Sequence, residues 1–325
     1  MTLAGQATLS QRLGGALFYA ITSILIVMVN KSVLTGYHFP SVKVVGIGQM
    51  VAAVVILFTA KKLKIIEFPD FDSTIFQKIF PLPLLYLGNL IFGLGGTKSL
   101  SLPMFTVLRR FSILMTMILE MYVLQTKPSK VVVLGVLMMV GGALVAAMND
   151  LAFNLTGYVM IFLNDLFTAA NNVYMKKKLN AKDLGKYGIT YYNSLFMVLP
   201  VIAIAFSTGD IDEAAEFTGW NDAGFVVQFL GSCVMGFVLM YSVVVCTGYN
   251  SALTTAVVGC LKNIVVTYVG MVFGGDYVFS WLNFAGINIS VFGSILYSYF
   301  VFKEKQNTSS QDYKKLDDSG GISKV

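Results

Sequence analysis

The chain has 325 residues, 56% of them hydrophobic and only 12% charged, with a mean hydropathy of +0.73. That composition excludes an ordinary soluble domain and points to a polytopic membrane protein. The formal net charge of +6 does not argue for nucleic-acid binding, because the basic residues sit in short loops between apolar runs, where membrane topology is written.

Windows of about 20 apolar residues predict ten spans, at roughly 14–35, 41–60, 79–99, 103–124, 130–149, 155–175, 188–207, 226–247, 252–273 and 282–302. The loops between them are short, so the expected fold class is all-α, one compact bundle of ten transmembrane helices over a single domain, 1–325. No cleavable signal sequence is recognisable, and the first span is expected to be retained. With the N-terminus in the cytosol, Arg12, Lys61, Lys62, Lys64, Lys78, Lys127, Lys130, the lysines from Lys176 to Lys186 and those from Lys303 to Lys324 face the cytosol. Together they are 17 of the 23 basic residues, which predicts that both termini are cytosolic. The acidic loop 208–222, with Asp210, Asp212, Glu213, Glu216 and Asp222, faces the other side.

The two halves repeat. A shift of 153 lays 97–111 on 250–264 and matches Arg109 to Lys262 and Arg110 to Asn263. A shift of 151 lays Gly135 and Gly142 on Gly286 and Gly293. These matches predict a duplication of five spans, repeat one about 12–150 and repeat two about 153–303, followed by a polar, disordered cytosolic tail at 304–325. Five is odd, so the second copy is expected to run inverted, the signature of many secondary transporters with a midplane site at the repeat interface.

Lys262 lies near the midpoint of the apolar stretch Tyr249–Phe273, roughly 15 Å from either end at the helical rise. A lysine stem cannot snorkel that far, and a charge at that depth costs about 2.5–3.5 kcal/mol on insertion scales. It marks a polar cavity, an anionic ligand, or an ion pair with Glu120 or Asp165. Thr255, Gly259 and Lys262 follow at i, i+4 and i+7, which puts two small residues beside the ammonium. Arg109 and Arg110 enter the fourth span from the opposite side. Three cations in one bundle suit a polyanion, Arg through its planar fork and Lys as a point charge.

Among the remaining polar residues, Asp165 reads as a counter-ion or hydrogen-bond acceptor, and Glu120 as an acid near enough to the cytosolic end of its span to reach water. Asn30 and Lys31 are an interfacial anchor or a gate. Asn154 begins a glycosylation sequon in a loop too short to expect modification. Cys233, Cys246 and Cys260 fall within spans at no metal-binding spacing, and read as packing residues. Tyr191, Tyr192 and Asn193 offer an aromatic face and an amide, chemistry suited to a base or ribose, although tyrosines near a membrane interface are common.

The stretches LPMFTVLRRFSI (102–113), LGKYGITYYNSLFM (184–197), YNSALTTAVVGCLKN (249–263) and FGGDYVF (273–279) together carry a resemblance that covers essentially residues 12–303. The chain resembles nucleotide-sugar transporters of the drug/metabolite transporter superfamily. It is most similar to the subgroup for UDP-glucuronic acid, UDP-N-acetylgalactosamine and UDP-N-acetylglucosamine. The resemblance implies a ten-helix exchanger that brings a UDP-sugar into the Golgi or endoplasmic reticulum lumen against UMP. The Phe-Tyr-Asn-Asn motif of the GDP-mannose branch falls here on Tyr191, Tyr192, Asn193 and Ser194. Its Gly-Ala-Leu-Asn-Lys motif falls on Gly259, Cys260, Leu261, Lys262 and Asn263. Ser194 in place of the second Asn, and the reversed Lys-Asn order, favour uridine over guanine, although some relatives in this subgroup are thought to accept GDP-mannose.

The expected substrate-binding set is therefore Lys262, Arg109 and Arg110 on the phosphates, Tyr192 and Asn193 on the nucleoside with Tyr191, Ser194 and Asn263 beside them, Thr255 and Gly259 lining the approach, and Tyr241 as a wall. No catalytic residue, cofactor or metal is expected, and the partners are UDP-sugars, UMP and the lipid bilayer, with a homo-oligomer left open. Two other classes compete: a polytopic glycosyltransferase, which would need acidic or metal-binding residues in a sizeable polar loop that this chain lacks, and a proton-coupled exporter of the same superfamily. The Lys314-Lys315 pair lies too far from the C-terminus to resemble a dilysine retrieval signal, which favours the Golgi membrane over the endoplasmic reticulum.

Overall fold

The computed structural model describes residues 7–99, 108–148 and 155–259, and beyond them 280–282, 284–286, 288–297 and 299–300. Among these residues every regular element is helical. Helix α1 (Leu9–Lys31) starts at a Thr8/Gln11 capping box, which satisfies two orphan backbone N–H groups, and runs on into a π-helical turn, Ser32–Gly36. Helix α2 (Val42–Lys62) is capped by the Ser41 hydroxyl. Next come the short α3 (Thr74–Ile79), α4 (Leu82–Ser99), α5 (Phe111–Val123) and α6 (Lys130–Ala147), the last capped by Ser129. Helices α7 (Leu155–Ala181), α8 (Gly185–Ser207), the short α9 (Asp210–Ala215) and α10 (Ala223–Tyr249) follow. Residues 252–259 (α11) and Phe284–Tyr297 (α12) are helical in their described parts.

A helix overlies part of each predicted span, and among the described residues four are long and apolar enough to cross a bilayer: Leu9–Leu34, Val42–Lys62, Gly185–Ser207 and Ala223–Tyr249. The side-chain distribution is that of a protein dissolved in lipid. On α1, Leu17, Ile21, Leu25 and Met28 are exposed along one stripe, whereas Thr22 and Ser23 are buried. The Thr22 hydroxyl shares a hydrogen bond of 2.8 Å with Ser242 on α10, so the polar groups turn inward to join helices.

The principal helix contacts are α1 on α10, α4 on α7, α2 on α8 and on α10, and α5 on α7. Helices α6 and α12 touch through their backbones. A Cβ on Gly142 would lie 2.6 Å from Gly286 O and Ser290 N, and one on Gly293 would lie 2.9 Å from Gly135 O and Met139 N. The four glycines that repeat in sequence are thus the four that meet in space.

The structure departs from the sequence reading at α7, which continues past the predicted end at 175 to Ala181 and carries Lys176 into the protein interior. The segments 63–81 and 208–222 are not plain loops, because they contain α3, α9 and a 3-10 turn, Thr218–Asn221. Asn154, Cys260 and the tail lie outside the described residues.

Candidate functional site

Arg109 and Arg110 occupy a turn immediately before α5. The N–H groups of Ser112 and Ile113 donate to Arg109 O at 3.2 Å and Arg110 O at 3.1 Å, three residues back, so the arginines mark a break between the helical Leu108 and the start of α5. The backbone of both arginines thus stands at the N-terminal, positive end of α5, an end that favours an anion. Arg110 is buried. The Arg109 guanidinium donates to Thr168 Oγ1 at 3.3 Å on α7. Thr168 passes its own hydrogen to Asn89 Oδ1 at 2.8 Å on α4, and the same oxygen accepts Asn164 Nδ2 at 2.6 Å. Asp165, next to Asn164, is fully buried and lies within the field of Arg109. Asn89, Asn164 and Thr168 escaped the sequence reading because neutral polar residues add no charge signal. Their trace is the i, i+4 spacing of Asn164 and Thr168 inside an apolar run.

The other predicted residues gather around α8, α10 and α11. Tyr192 is 1% exposed, and its hydroxyl donates to Pro69 O at 2.7 Å in the segment after α2. Its ring meets Phe68 edge-on at 5.9 Å and Tyr191 at 5.0 Å, while Tyr191 also lies 4.9 Å from Phe68. Asn193 keeps a buried Oδ1 with no hydrogen-bond partner among the described residues. Ser194 donates weakly to Met240 Sδ at 3.6 Å. Tyr241 stacks on Tyr187, with ring centroids 5.4 Å apart and planes within 3°. Lys186 Nζ sits 3.6 Å from the ring centroid of Tyr249, a neighbouring aromatic contact that counting Lys186 as a cytosolic charge did not reveal. Thr255 shares a hydrogen bond of 3.0 Å with Thr247, and a Cβ on Gly259 would lie 2.9 Å from Tyr19 OH. Lys262 and Asn263 lie outside the described residues. Among the described residues, the predicted ones thus fall into two groups, the arginines with α7 and the others around α8, α10 and α11.

Two charges differ from expectation. Glu120 does not reach water: it is 6% exposed, and its Oε2 accepts the N–H of Leu253 at 3.2 Å, in the first turn of α11. Lys176 is 5% exposed, and its ammonium donates to Thr247 O at 2.8 Å, Gly248 O at 3.1 Å and Asn250 O, at the C-terminal end of α10. Asn30, read as an anchor or gate, accepts from Ser232 at 2.7 Å and Gln49 at 3.2 Å and so ties α1 to α10 and α2.

A bundle of apolar helices with cations held in its interior is a polytopic membrane protein equipped to meet an anion. The chain belongs to the Triose-phosphate Transporter family, whose model matches residues 13–298. It is a transporter and not an enzyme. It is 57% identical over 303 residues to the UDP-sugar transporter UST74c of Drosophila melanogaster, covering 93% of this chain and 81% of that one. It is also 57% identical to the UDP-sugar transporter sqv-7 of Caenorhabditis elegans, covering 97% and 96%, and 55% identical to the nucleotide sugar transporter SLC35D2 of Mus musculus, covering 90% of each. A solved crystal structure with 11% identity superposes with a TM-score of 0.64 over 88% of this chain and 98% of that one, a likeness of fold alone.

Proposed function

We propose that the protein is a nucleotide-sugar antiporter. It carries UDP-sugars, namely UDP-glucuronic acid, UDP-N-acetylgalactosamine or UDP-N-acetylglucosamine, from the cytosol into the Golgi lumen, or that of the endoplasmic reticulum, against UMP. The observation that carries this reading is 57% identity over nearly the whole chain to two proteins named as UDP-sugar transporters. In this reading Lys262, Arg109 and Arg110 neutralise the phosphates. Asn193, with its unpartnered buried oxygen, accepts the uracil N–H, and Tyr191, Tyr192, Ser194 and Asn263 complete the nucleoside pocket. Thr255 and Gly259 line the approach and Tyr241 forms a wall.

The architecture we infer is ten transmembrane helices in two inverted repeats, with both termini cytosolic. The packing supports it. Taking 135 as the counterpart of 286 and 142 as that of 293, the contact of Gly135 with Gly293 becomes the contact of Gly286 with Gly142 when the halves are exchanged, and both contacts are present. Counting spans, the pairing of first with eighth becomes that of sixth with third, and second with seventh maps onto itself; all three pairs are in contact. A pseudo-two-fold axis of this kind supports alternating access by rocking of the halves. Antiport follows from the charges, because an empty site leaves several like charges desolvated together and slows the return step until a nucleotide binds.

The relation to a GDP-mannose transporter of Coccidioides immitis is more distant, at 24% identity, and Ser194 favours uridine. Uptake of labelled nucleotide-sugars into proteoliposomes loaded with UMP, GMP or nothing tests the reading, with Lys262→Ala as the comparison. UDP-sugar uptake driven only by internal UMP and lost in the variant is expected. Equal uptake into empty vesicles would refute antiport, and drive by GMP would extend the substrates to guanosine.

A further inference from the structure

In the cluster around Arg109, Thr168 and Asn164 give their hydrogens to Asn89, and acceptors are left over. Asn89 Oδ1 takes hydrogens from both Thr168 and Asn164, and the Asn164 amide nitrogen also donates to Asn89 O at 2.6 Å. That pairing directs the amide nitrogen of Asn164 toward α4 and leaves its oxygen on the other side. Gly93 permits the approach, since a Cβ there would lie 2.8 Å from Asn164 Nδ2. What is left is Asn164 Oδ1 and both carboxyl oxygens of Asp165, three buried acceptors with no hydrogen-bond partner among the described residues. The residues that carry them are 1% and 0% exposed, on consecutive positions near the middle of α7.

Each unsatisfied buried acceptor costs about 1–3 kcal/mol, and a hydrocarbon core supplies no water to relieve it. Such a concentration is retained where a ligand completes it. The ligand part that fits is one rich in O–H donors and free of negative charge. Phosphate fits poorly, because it brings acceptors where donors are wanted. A uracil ring brings a single N–H. A neutral hexose brings several hydroxyls, each able to donate.

Resting on the nucleotide-sugar reading above, we propose that Asp165 and Asn164 form the sugar subsite, accepting hydroxyl hydrogens of the hexose while Arg109, joined to the same cluster through Thr168, holds the adjoining phosphate. The subsite is closed in this conformation and opens as α4 and α7 part during the transport cycle.

The test compares two exchange reactions in UMP-loaded proteoliposomes: entry of labelled UMP, which has no sugar, and entry of labelled UDP-N-acetylglucosamine. Asp165→Asn should lower the ratio of sugar-nucleotide entry to UMP entry by about tenfold or more, the loss expected when a site built for hydroxyl recognition has one of its acceptors replaced by a donor. Asp165→Glu, which keeps both oxygens one methylene away, should recover part of that ratio and serves where the Asn variant fails to insert. A proportional loss of both reactions, or an unchanged ratio, overturns the proposal and leaves Asp165 as a structural partner of Arg109. If the wild type exchanges no UMP at all, it is the nucleotide-sugar antiport reading that falls.

Discussion

Glu120 accepts the backbone N–H of Leu253 at 3.2 Å although 133 residues separate them in the chain. On the other side of the same corner, the Lys176 ammonium binds the last carbonyls of α10. The corner at 250–251 thus has a carboxylate at the positive end of one helix and an ammonium at the negative end of the other, the arrangement that helix dipoles favour. Irregular backbone inside a membrane protein must find its partners within the protein, and these two side chains supply them.

Replacing Lys176 by Met is therefore expected to lower stability by about 2–4 kcal/mol, through loss of charge-assisted hydrogen bonds to carbonyls that stay buried. Lys177→Met, one residue along the same helix but exposed, should change it by about 0.5 kcal/mol or less. Thermal unfolding in detergent compares the two. Equal midpoints for both variants would show that the corner does not depend on the ammonium.

The elements that were legible in the sequence share one property, that their signal is local. Apolar windows located helices because span length and hydropathy are set within about 20 residues. The glycine spacing 135/142 and 286/293 was legible as a mark of duplication, but that these glycines also pack on one another, as close backbone approach requires of small residues, came only from the structure. Glu120 and Lys176 were misread because burial of a charge near a span end depends on a distant partner. For Lys176 the run Lys176-Lys177-Lys178 also ended the hydropathy window while the helix went on. Tyr192 was legible as an aromatic residue of α8, but not as one whose hydroxyl is taken by Pro69, 123 residues earlier.

Gly142→Ala tests the helix contact. Its new methyl would lie 2.6 Å from the Gly286 carbonyl and the Ser290 amide, backbone atoms that cannot turn aside, and the expected cost is about 1–3 kcal/mol. At Gly141 nothing among the described residues lies within 4 Å of the added carbon, so Gly141→Ala should gain up to about 1 kcal/mol from helix propensity. Opposite signs for adjacent glycines, read by thermal unfolding, are the expected result; a shared sign would mean that α6 and α12 do not meet this way.

Tyr192→Phe should cost about 1 kcal/mol of stability, since it leaves Pro69 O without the hydroxyl that it accepts at 2.7 Å. Because that hydroxyl is already engaged, KM for UDP-sugar uptake should move less than twofold. Tyr192→Ala removes the ring as well and should abolish uptake. A large rise in KM for the Phe variant would show that the hydroxyl leaves Pro69 to bind substrate.

At the start of α9, Asp210 is 15% exposed and forms an ion pair with Lys43, which is equally exposed. It also accepts from Ser41 Oγ at 2.8 Å and from the Thr208 hydroxyl. Burial alone would raise its pKa, but the donated hydrogen bonds of Lys43, Thr208 and Ser41 and the Lys43 charge outweigh it, and the carboxyl is held below the usual carboxylate range. The sign follows: with the folded value depressed, the stabilisation is complete above the unfolded value of about 3.9 and is lost as pH falls through the lower folded value. Asp210→Asn should therefore cost about 1–2 kcal/mol at pH 7.5 and the same at pH 5.5, the gap between variant and wild type closing only below about pH 4. Unfolding midpoints measured in detergent across that range decide it. A gap that closes between pH 7.5 and 5.5 would mean that the carboxyl titrates above its normal value, and that burial, rather than Lys43, governs this end of the bundle.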